Sequence, residues 1–244
     1  MSASAPGDGT LLSLNDVSKR FGGLRAVSDL HLTVLRGELR CLIGPNGAGK
    51  STVFKLIMGF EHPTTGTITF DNADIRRWPT WRRARQGLSI KMQIPGIYPE
   101  LTVHDNMRVA AQYHVARGQM EASIERLLGR VGLAGMSADL AKNLSHGQQQ
   151  WLEIGMALSV DPKLLLLDEP TAGLGPGETE ATARLIESLN ADGVTIMVIE
   201  HDMTFVRLIA RTVTVMNLGR IFAEGTIAEI EAHQGVTDIY LGRV

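Results

Sequence analysis

With 244 residues, 44% of them hydrophobic, the chain can bury a full core, and one large domain or a domain carrying an inserted subdomain is expected. Its 24 basic and 26 acidic side chains leave a formal charge of −2, which excludes the broad basic surface that a nucleic-acid binder needs. Cys41 is the only cysteine, so a disulfide within the chain is impossible, and its place in the apolar run "LRCLI" points to a buried core thiol in a reducing cytosol.

The chain opens with "MSASAPGDGT", a small and polar stretch read as a flexible tail over residues 1–10. It lacks the basic lead and apolar core of a signal peptide, and no apolar run reaches the roughly 18 to 20 residues of a membrane span. Strand-like segments follow at "LLSLNDV", "LRCLI", "TITF", "LLLLD", "TIMVI", "TVTVM" and "RIFAE". Helical patterns trail several of them, as over Thr52 to Met58 and Glu178 to Leu189. The continuous apolar runs Leu164 to Leu167 and Thr195 to Ile199 suit strands covered on both faces, so an α/β fold with a mainly parallel sheet is expected. More alternating strands near the N-terminus suit an antiparallel flank.

From Pro95 to Val160 strand runs give way to helical candidates at Val103 to Val115, Met120 to Val131 and Gln148 to Ser159. This predicts an α/β core over residues 11–94 and 161–225, a helical subdomain over 95–160 and a C-terminal appendage over 226–244. Five arginines crowd "RRWPTWRRAR", Arg76 to Arg85, which reads as a solvated helix face in preference to a contact with lipid headgroups.

The chemistry is concentrated at strand ends. "GPNGAGKST", Gly44 to Thr52, satisfies G-x-x-x-x-G-K-[ST] between a strand run and a helical pattern, which is the context that a phosphate loop requires. Gly44, Gly47 and Gly49 let the backbone wrap phosphates, with Asn46 and Thr52 in the same loop. Lys50 supplies a point charge for the terminal phosphates, and the Ser51 hydroxyl is placed to ligate Mg²⁺. This is a nucleoside triphosphate site. "LLLLDEP" delivers Asp168 and Glu169 at the end of a buried strand, Asp168 to hold Mg²⁺ through water and Glu169 to polarise the attacking water as general base. His201, in "VIEHDM", closes a third strand and is a candidate γ-phosphate contact. The other histidines show no metal-ligand spacing, so no structural metal is expected.

The stretch "LSHGQQQWLEIGMAL", Leu144 to Leu158, is of a different kind. A polar loop opens a helix with Trp151, Leu152, Ile154, Met156 and Leu158 toward a core, and free N–H groups at such a start attract an anion. Together with the phosphate loop and "LLLLDE", "LSHGQ" makes the chain resemble the ATP-binding subunit of ABC transporters from Leu11 to Gly242. The resemblance implies that Ser145, Gly147 and Gln148 meet the γ-phosphate of ATP held by the phosphate loop of a second subunit, in a head-to-tail dimer. It also implies that Phe21 stacks on adenine, that Gln93 touches Mg²⁺ and senses a membrane subunit, and that "AGLGP", Ala172 to Pro176, crosses the dimer seam. Two positions depart from the family pattern. His146 replaces a glycine, which can merely point an imidazole to solvent, and Gly175 stands where Asp or Asn is common.

Within that family the motifs and the ending "IYLGR" look most like importers of branched-chain amino acids, urea or related amides. The implied partners are a second ATP-binding subunit, identical or different, two transmembrane permease subunits and, indirectly, a solute-binding protein. The implied place is the cytoplasmic face of the cell membrane. A relative acting on a soluble assembly scaffold would share every ATP residue. A small-molecule kinase needs neither "LSHGQ" nor His201.

Overall fold

Alternation along the strands decides which faces meet water and which meet the core. The structure is a computed structural model that describes residues 9–93 and 96–240. Residues 1–8 of the expected tail 1–10, the onset of the helical segment at Pro95 and the last residues of "IYLGR" lie outside the described residues. Twelve-residue strands β1 (Thr10–Phe21) and β2 (Leu24–Leu35) form a long antiparallel pair, and β2 buries every second residue from Leu30 to Val34. After the short fully buried strand β3 (Leu39–Ile43) come helix α1 (Lys50–Met58), β4 (Thr65–Phe70) and the two-residue β5 (Ala73–Asp74). Strands in the order β2-β1-β4-β5 make the antiparallel flank.

Next are α2 (Thr80–Arg85), β6 (Leu88–Lys91), α3 (Val103–Ala111), α4 (Met120–Arg130) and α5 (His146–Leu158). Among the described residues between β6 and α5 no strand occurs, only helices, turns and a single bridge from Thr102 to Leu140. The chain then runs through β7 (Leu164–Asp168), α6 (Pro176–Ala191), β8 (Thr195–Ile199), α7 (Met203–Ile209), β9 (Thr212–Asn217) and β10 (Arg220–Gly225), ending in α8 (Ile227–Ala232) and α9 (Gln234–Tyr240). The second sheet has the order β10-β9-β3-β8-β7-β6; it is parallel apart from β10, which pairs antiparallel to β9 at one edge.

Both faces of that sheet are covered, as the unbroken apolar runs require. Leu39, Cys41, Leu165, Leu167, Ile196 and Val198 point into one core with α3 to α7. Leu42, Leu164, Leu166, Met197 and Ile199 point into the other, with α1 and the antiparallel flank. The period-two switch between cores runs along three neighbouring strands, so the sheet is the middle layer. Burial pushes the Cys41 thiol up to about 12, which suits an inert core residue.

The structure departs from the sequence-based expectations at several points. The first strand starts at Thr10, inside the expected tail, and β2 and β6 are strands that no apolar run announces. Helix α3 stops at Ala111, short of Val115, while α5 begins at His146, so His146 and Gly147 form its first turn and do not belong to a preceding loop. Arg83 is the largest difference. It is fully buried among the five clustered arginines, donating to Leu56 O and Ile57 O at 2.7 Å each, to Trp78 O at 3.1 Å and to Arg76 O at 3.3 Å. The guanidinium thereby satisfies the free carbonyls at the end of α1, a capping role that its neighbours on the solvated face do not share.

Candidate active site

Four parallel strands, in the order β3-β8-β7-β6, bring their carboxyl ends to one edge, and each hands the chain to a candidate residue. β3 leads into the loop Gly44 to Gly49, whose path only glycine tolerates at two points. At Gly44 (φ 144°) an added Cβ lies 2.1 Å from Met216 O, and at Gly49 (φ 103°) it lies 2.5 Å from Ala26 O. The loop is thus clamped between β9 and the β1–β2 hairpin. Lys50 is buried with its Nζ donating to Gly44 O at 2.6 Å and Pro45 O at 3.0 Å. Burial pulls its pKa down, against the upward pull of Glu169 and Asp168.

β7 ends at Asp168. Its Oδ1 is buried without a hydrogen-bond partner, and burial, assisted by the adjacent Glu169, raises its pKa to about 6. The next residue, Glu169, adopts φ 47°, a left-handed conformation that costs a non-glycine residue about 1–3 kcal/mol. That turn aims its carboxylate at two neighbours. Gln93 Nε2, just past β6, donates to Glu169 Oε2 at 3.0 Å, and His201 Nδ1, just past β8, lies 3.5 Å from Glu169 Oε1. Residues 93, 169 and 201, far apart in sequence, therefore meet around one carboxylate.

A cleft of about 690 Å³ opens beside them, lined by Asn46, Gly47, Gly49, Lys50, Ser51, Thr52, Gln93 and Glu169 together with Phe21 and Leu218. Phe21 is 41% exposed, with Lys19 Nζ 4.7 Å from its ring centroid. Lys19 covers one face of the ring, and the exposed remainder, which lines the cleft, is available to a planar ligand. Gly44, Asp168 and His201 do not line the cleft. Ser145, Gly147 and Gln148 are also absent from it; they sit at the start of α5, where Ser145 Oγ accepts from Gln148 N at 3.2 Å and Gln148 Oε1 accepts from Ser145 N at 2.9 Å. This reciprocal pair fixes the loop at the start of α5.

The residue at the first departure does more than face water. His146 Nε2 lies 3.0 Å from Ala172 O, tying the start of α5 to the loop Ala172 to Pro176. Three further residues were invisible in the sequence. Glu200, buried at the end of β8, accepts from Thr171 N at 3.1 Å and Thr171 Oγ1 at 2.5 Å, and from His201 N at 3.1 Å, so it joins the ends of two strands. Lys91 and Glu153 form a buried pair at 3.8 Å between β6 and α5. Burial lowers the lysine pKa and raises that of the glutamate, and Glu153 also accepts from Gly96 N. No pattern along the chain marks these charges as buried.

A family model described as ABC transporter matches residues 27–172. The high-affinity branched-chain amino acid transport ATP-binding protein LivG of Salmonella typhimurium is 39% identical across 95% of this chain and 98% of its own length. The chain belongs to the ABC transporter family. This ABC subunit is accordingly the ATP-binding and ATP-hydrolysing component of a transporter, with an α/β P-loop fold. BraF of Pseudomonas aeruginosa, also a high-affinity branched-chain amino acid transport ATP-binding protein, is 36% identical over the same 95% of the ABC subunit and 98% of BraF. An ATP-binding cassette of an ABC transporter solved in its ADP conformation superposes with a TM-score of 0.87 at 29% identity, covering 96% of this chain and 99% of that one. Among the described residues no helix is long and apolar enough to cross a membrane.

Proposed function

We propose that this ABC subunit drives an importer of branched-chain amino acids or related small amides, urea included, from the cytoplasmic face of the cell membrane. The observation that carries the mechanism is the meeting of Gln93, Glu169 and His201 at the edge of the phosphate-loop cleft. Phe21 stacks on adenine; Gly44, Asn46, Gly47, Gly49, Lys50, Ser51 and Thr52 hold the phosphates. Glu169 takes the proton of the attacking water, and His201, beside it, contacts the γ-phosphate. The neighbouring hydrogen bond from Gln93 aims the glutamate carboxylate and couples its position to the chain leaving β6.

The donor set suits Mg²⁺. The unpaired buried oxygen of Asp168 is an orphan acceptor of the kind a cation or its water satisfies, and the Ser51 hydroxyl and Gln93 carbonyl are hard oxygen ligands. Ser51, Gln93 and Asp168 would hold the ion, which when bound neutralises charge on the phosphates.

Ser145, Gly147 and Gln148 serve the γ-phosphate of a second ATP-binding subunit, identical or different, so that two ATP molecules join the pair. The division into α/β core, helical subdomain 95–160 and appendage gives the closure its moving parts. A groove of about 360 Å³ between β6 and α5, with Met92, Gly96, Ala110 and Met156 in its lining, receives a segment of one permease subunit, the second permease meeting the second ATP-binding subunit, and the following loop with Tyr98 and Glu100 joins the contact. Glu100 pairs with Lys142 at 2.8 Å.

LivG and BraF are both named for branched-chain amino acid transport, which supports the cargo. Glu169→Gln should leave ATP binding intact and lower turnover by at least about 100-fold. Normal hydrolysis by that variant would remove Glu169 as the base. Uptake of labelled leucine and labelled urea, in cells with and without the gene, tests the cargo. Unchanged uptake of both in the deletion, with soluble proteins alone captured on the tagged chain, would favour the scaffold-acting relative.

A further inference from the structure

The segment Leu144 to Gln148 at the start of α5, here called the signature loop, already holds an anion, and the anion belongs to the chain itself. Glu178, in the first turn of α6, places Oε1 3.0 Å from Ser145 Oγ and 3.2 Å from Gly147 N, and both groups donate to it. Its other oxygen accepts from Gly175 N at 3.4 Å. A Cβ added to Gly147 would lie 2.7 Å from Oε1, so the glycine is what lets the carboxylate approach the helix start. The Ser145 hydroxyl, foremost, and the Gly175 and Gly147 amides hold the Glu178 carboxyl below its ordinary range, so it is ionised at neutral pH. The nearby His146 adds to the same downward pull.

On the reading that Ser145 and Gly147 receive the γ-phosphate of a partner's ATP, the two donors have two claimants. We propose that Glu178 is an internal competitor for the signature loop, occupying in the separate chain the donors that the partner's phosphate takes on closure, and so setting the ATP concentration at which two subunits join. A carboxylate and a phosphate oxygen cannot share Gly147 N at hydrogen-bonding distance, because like charges at contact repel. Glu178 must therefore release Oε1 as the partner arrives. Gly175 N remains a partner for its second oxygen, so release does not strip the carboxylate of every donor. Glu178 follows closely on the loop Ala172 to Pro176, and His146 grips that loop at Ala172 O. Displacing the glutamate thus moves the same loop that is expected to cross the seam.

The test uses the full chain and inorganic phosphate as probe, following backbone amides by nitrogen–proton NMR in wild type and Glu178→Gln. Glutamine keeps the side-chain length and an acceptor oxygen but loses the charge, and an unchanged unfolding temperature shows that α6 keeps its start. The expected result is that the Gly147 amide responds to phosphate at a concentration about 5- to 10-fold lower in the variant, the scale set by one charge-assisted hydrogen bond. The phosphate-loop amides of Gly47 and Gly49 should respond alike in both chains. Equal Gly147 midpoints overturn the competition while leaving the signature loop as a phosphate acceptor. A Gly147 amide silent in both chains, with Gly47 responding, removes that acceptor role and the competition with it. In a Glu169→Gln background, adding Glu178→Gln should lower the ATP midpoint of dimerisation by a similar factor. A raised midpoint would mean that the glutamate assists closure, and overturns the proposal.

Discussion

Asp168 concentrates the conflict between folding and function in one side chain. Its pKa of about 6 lies above the ordinary value of 3.8, so the folded chain binds the proton more tightly than the unfolded one. The sign follows from linkage: this group's contribution is fully present below about pH 4 and is lost as pH rises through 6. At neutral pH the ionised carboxylate, with its Oδ1 buried and unpaired, weighs against the fold, and a divalent cation offsets that cost. Magnesium with ATP should therefore raise the unfolding temperature more at about pH 7.5 than at about pH 5.5. Equal increments at the two pH values would separate Asp168 from metal binding. Glu169 carries the neighbouring burden in its backbone, since φ 47° suits glycine better than glutamate. Neither feature was legible in "LLLLDEP". The sequence located both carboxylates at a strand end, because the apolar run before them is unmistakable. It could not distinguish the shielded oxygen from the exposed one, which depends on β8 lying beside β7.

Elements hold their relative places through buried charges that periodicity does not reveal. Arg83 is one of five arginines within ten residues, and nothing in "RRWPTWRRAR" sets it apart. Only the packing of α2 against the end of α1 singles it out, where Gly59 (φ 79°) leaves room for the guanidinium. Burial lowers its pKa to about 10, so it stays charged at neutral pH. Arg83→Met should destabilise the fold by about 3 kcal/mol, since Ile57 O and Trp78 O lose their donor and Leu56 O and Arg76 O keep only Gly59 N and His62 Nδ1. Arg83→Lys should recover only part of that, because an ammonium cannot span the same fork. Chemical denaturation of the three chains checks both, and full rescue by lysine would show that charge alone matters. Lys91 and Glu153 join β6 to α5 in the same manner, the lysine close to Gln93 along the chain and the glutamate two turns on from Ser145. Glu153→Ala strands the lysine and should cost about 3 kcal/mol, read as a fall of roughly 6–12 °C in unfolding temperature. The strands β2 and β6 eluded the sequence for another reason. The first carries polar residues on alternate positions, and the second is only four residues long, so neither offers a continuous apolar run.

Across the whole molecule, the sheet that serves as the middle layer also arranges the site. Every candidate that sequence reasoning placed at a strand end is brought to the same edge, because β3, β8, β7 and β6 run parallel. The signature loop stays outside the cleft, in keeping with its expected role toward a second subunit. The strand-end motifs announced the shared edge, and the resemblance to the family implied the second-subunit role. The contacts from His146 and Glu178 back to their own chain were not legible, since 26 residues separate His146 from Ala172 and 33 separate Ser145 from Glu178.

The middle layer has a practical corollary. Cys41, enclosed on both sides of β3, is the sole thiol, and its pKa of about 12 leaves almost no thiolate at working pH. Aromatic disulfide reagents should leave the native chain untouched and titrate one thiol only after denaturant unfolds it. Prompt reaction of the folded protein would show that the sheet opens locally. To a chemist the unaltered protein is in effect cysteine-free, so a single cysteine introduced at Ala172 or Gly175 can carry a spin label or a cross-linker with no background. The movements of the seam can then be measured as distances in an otherwise native sequence.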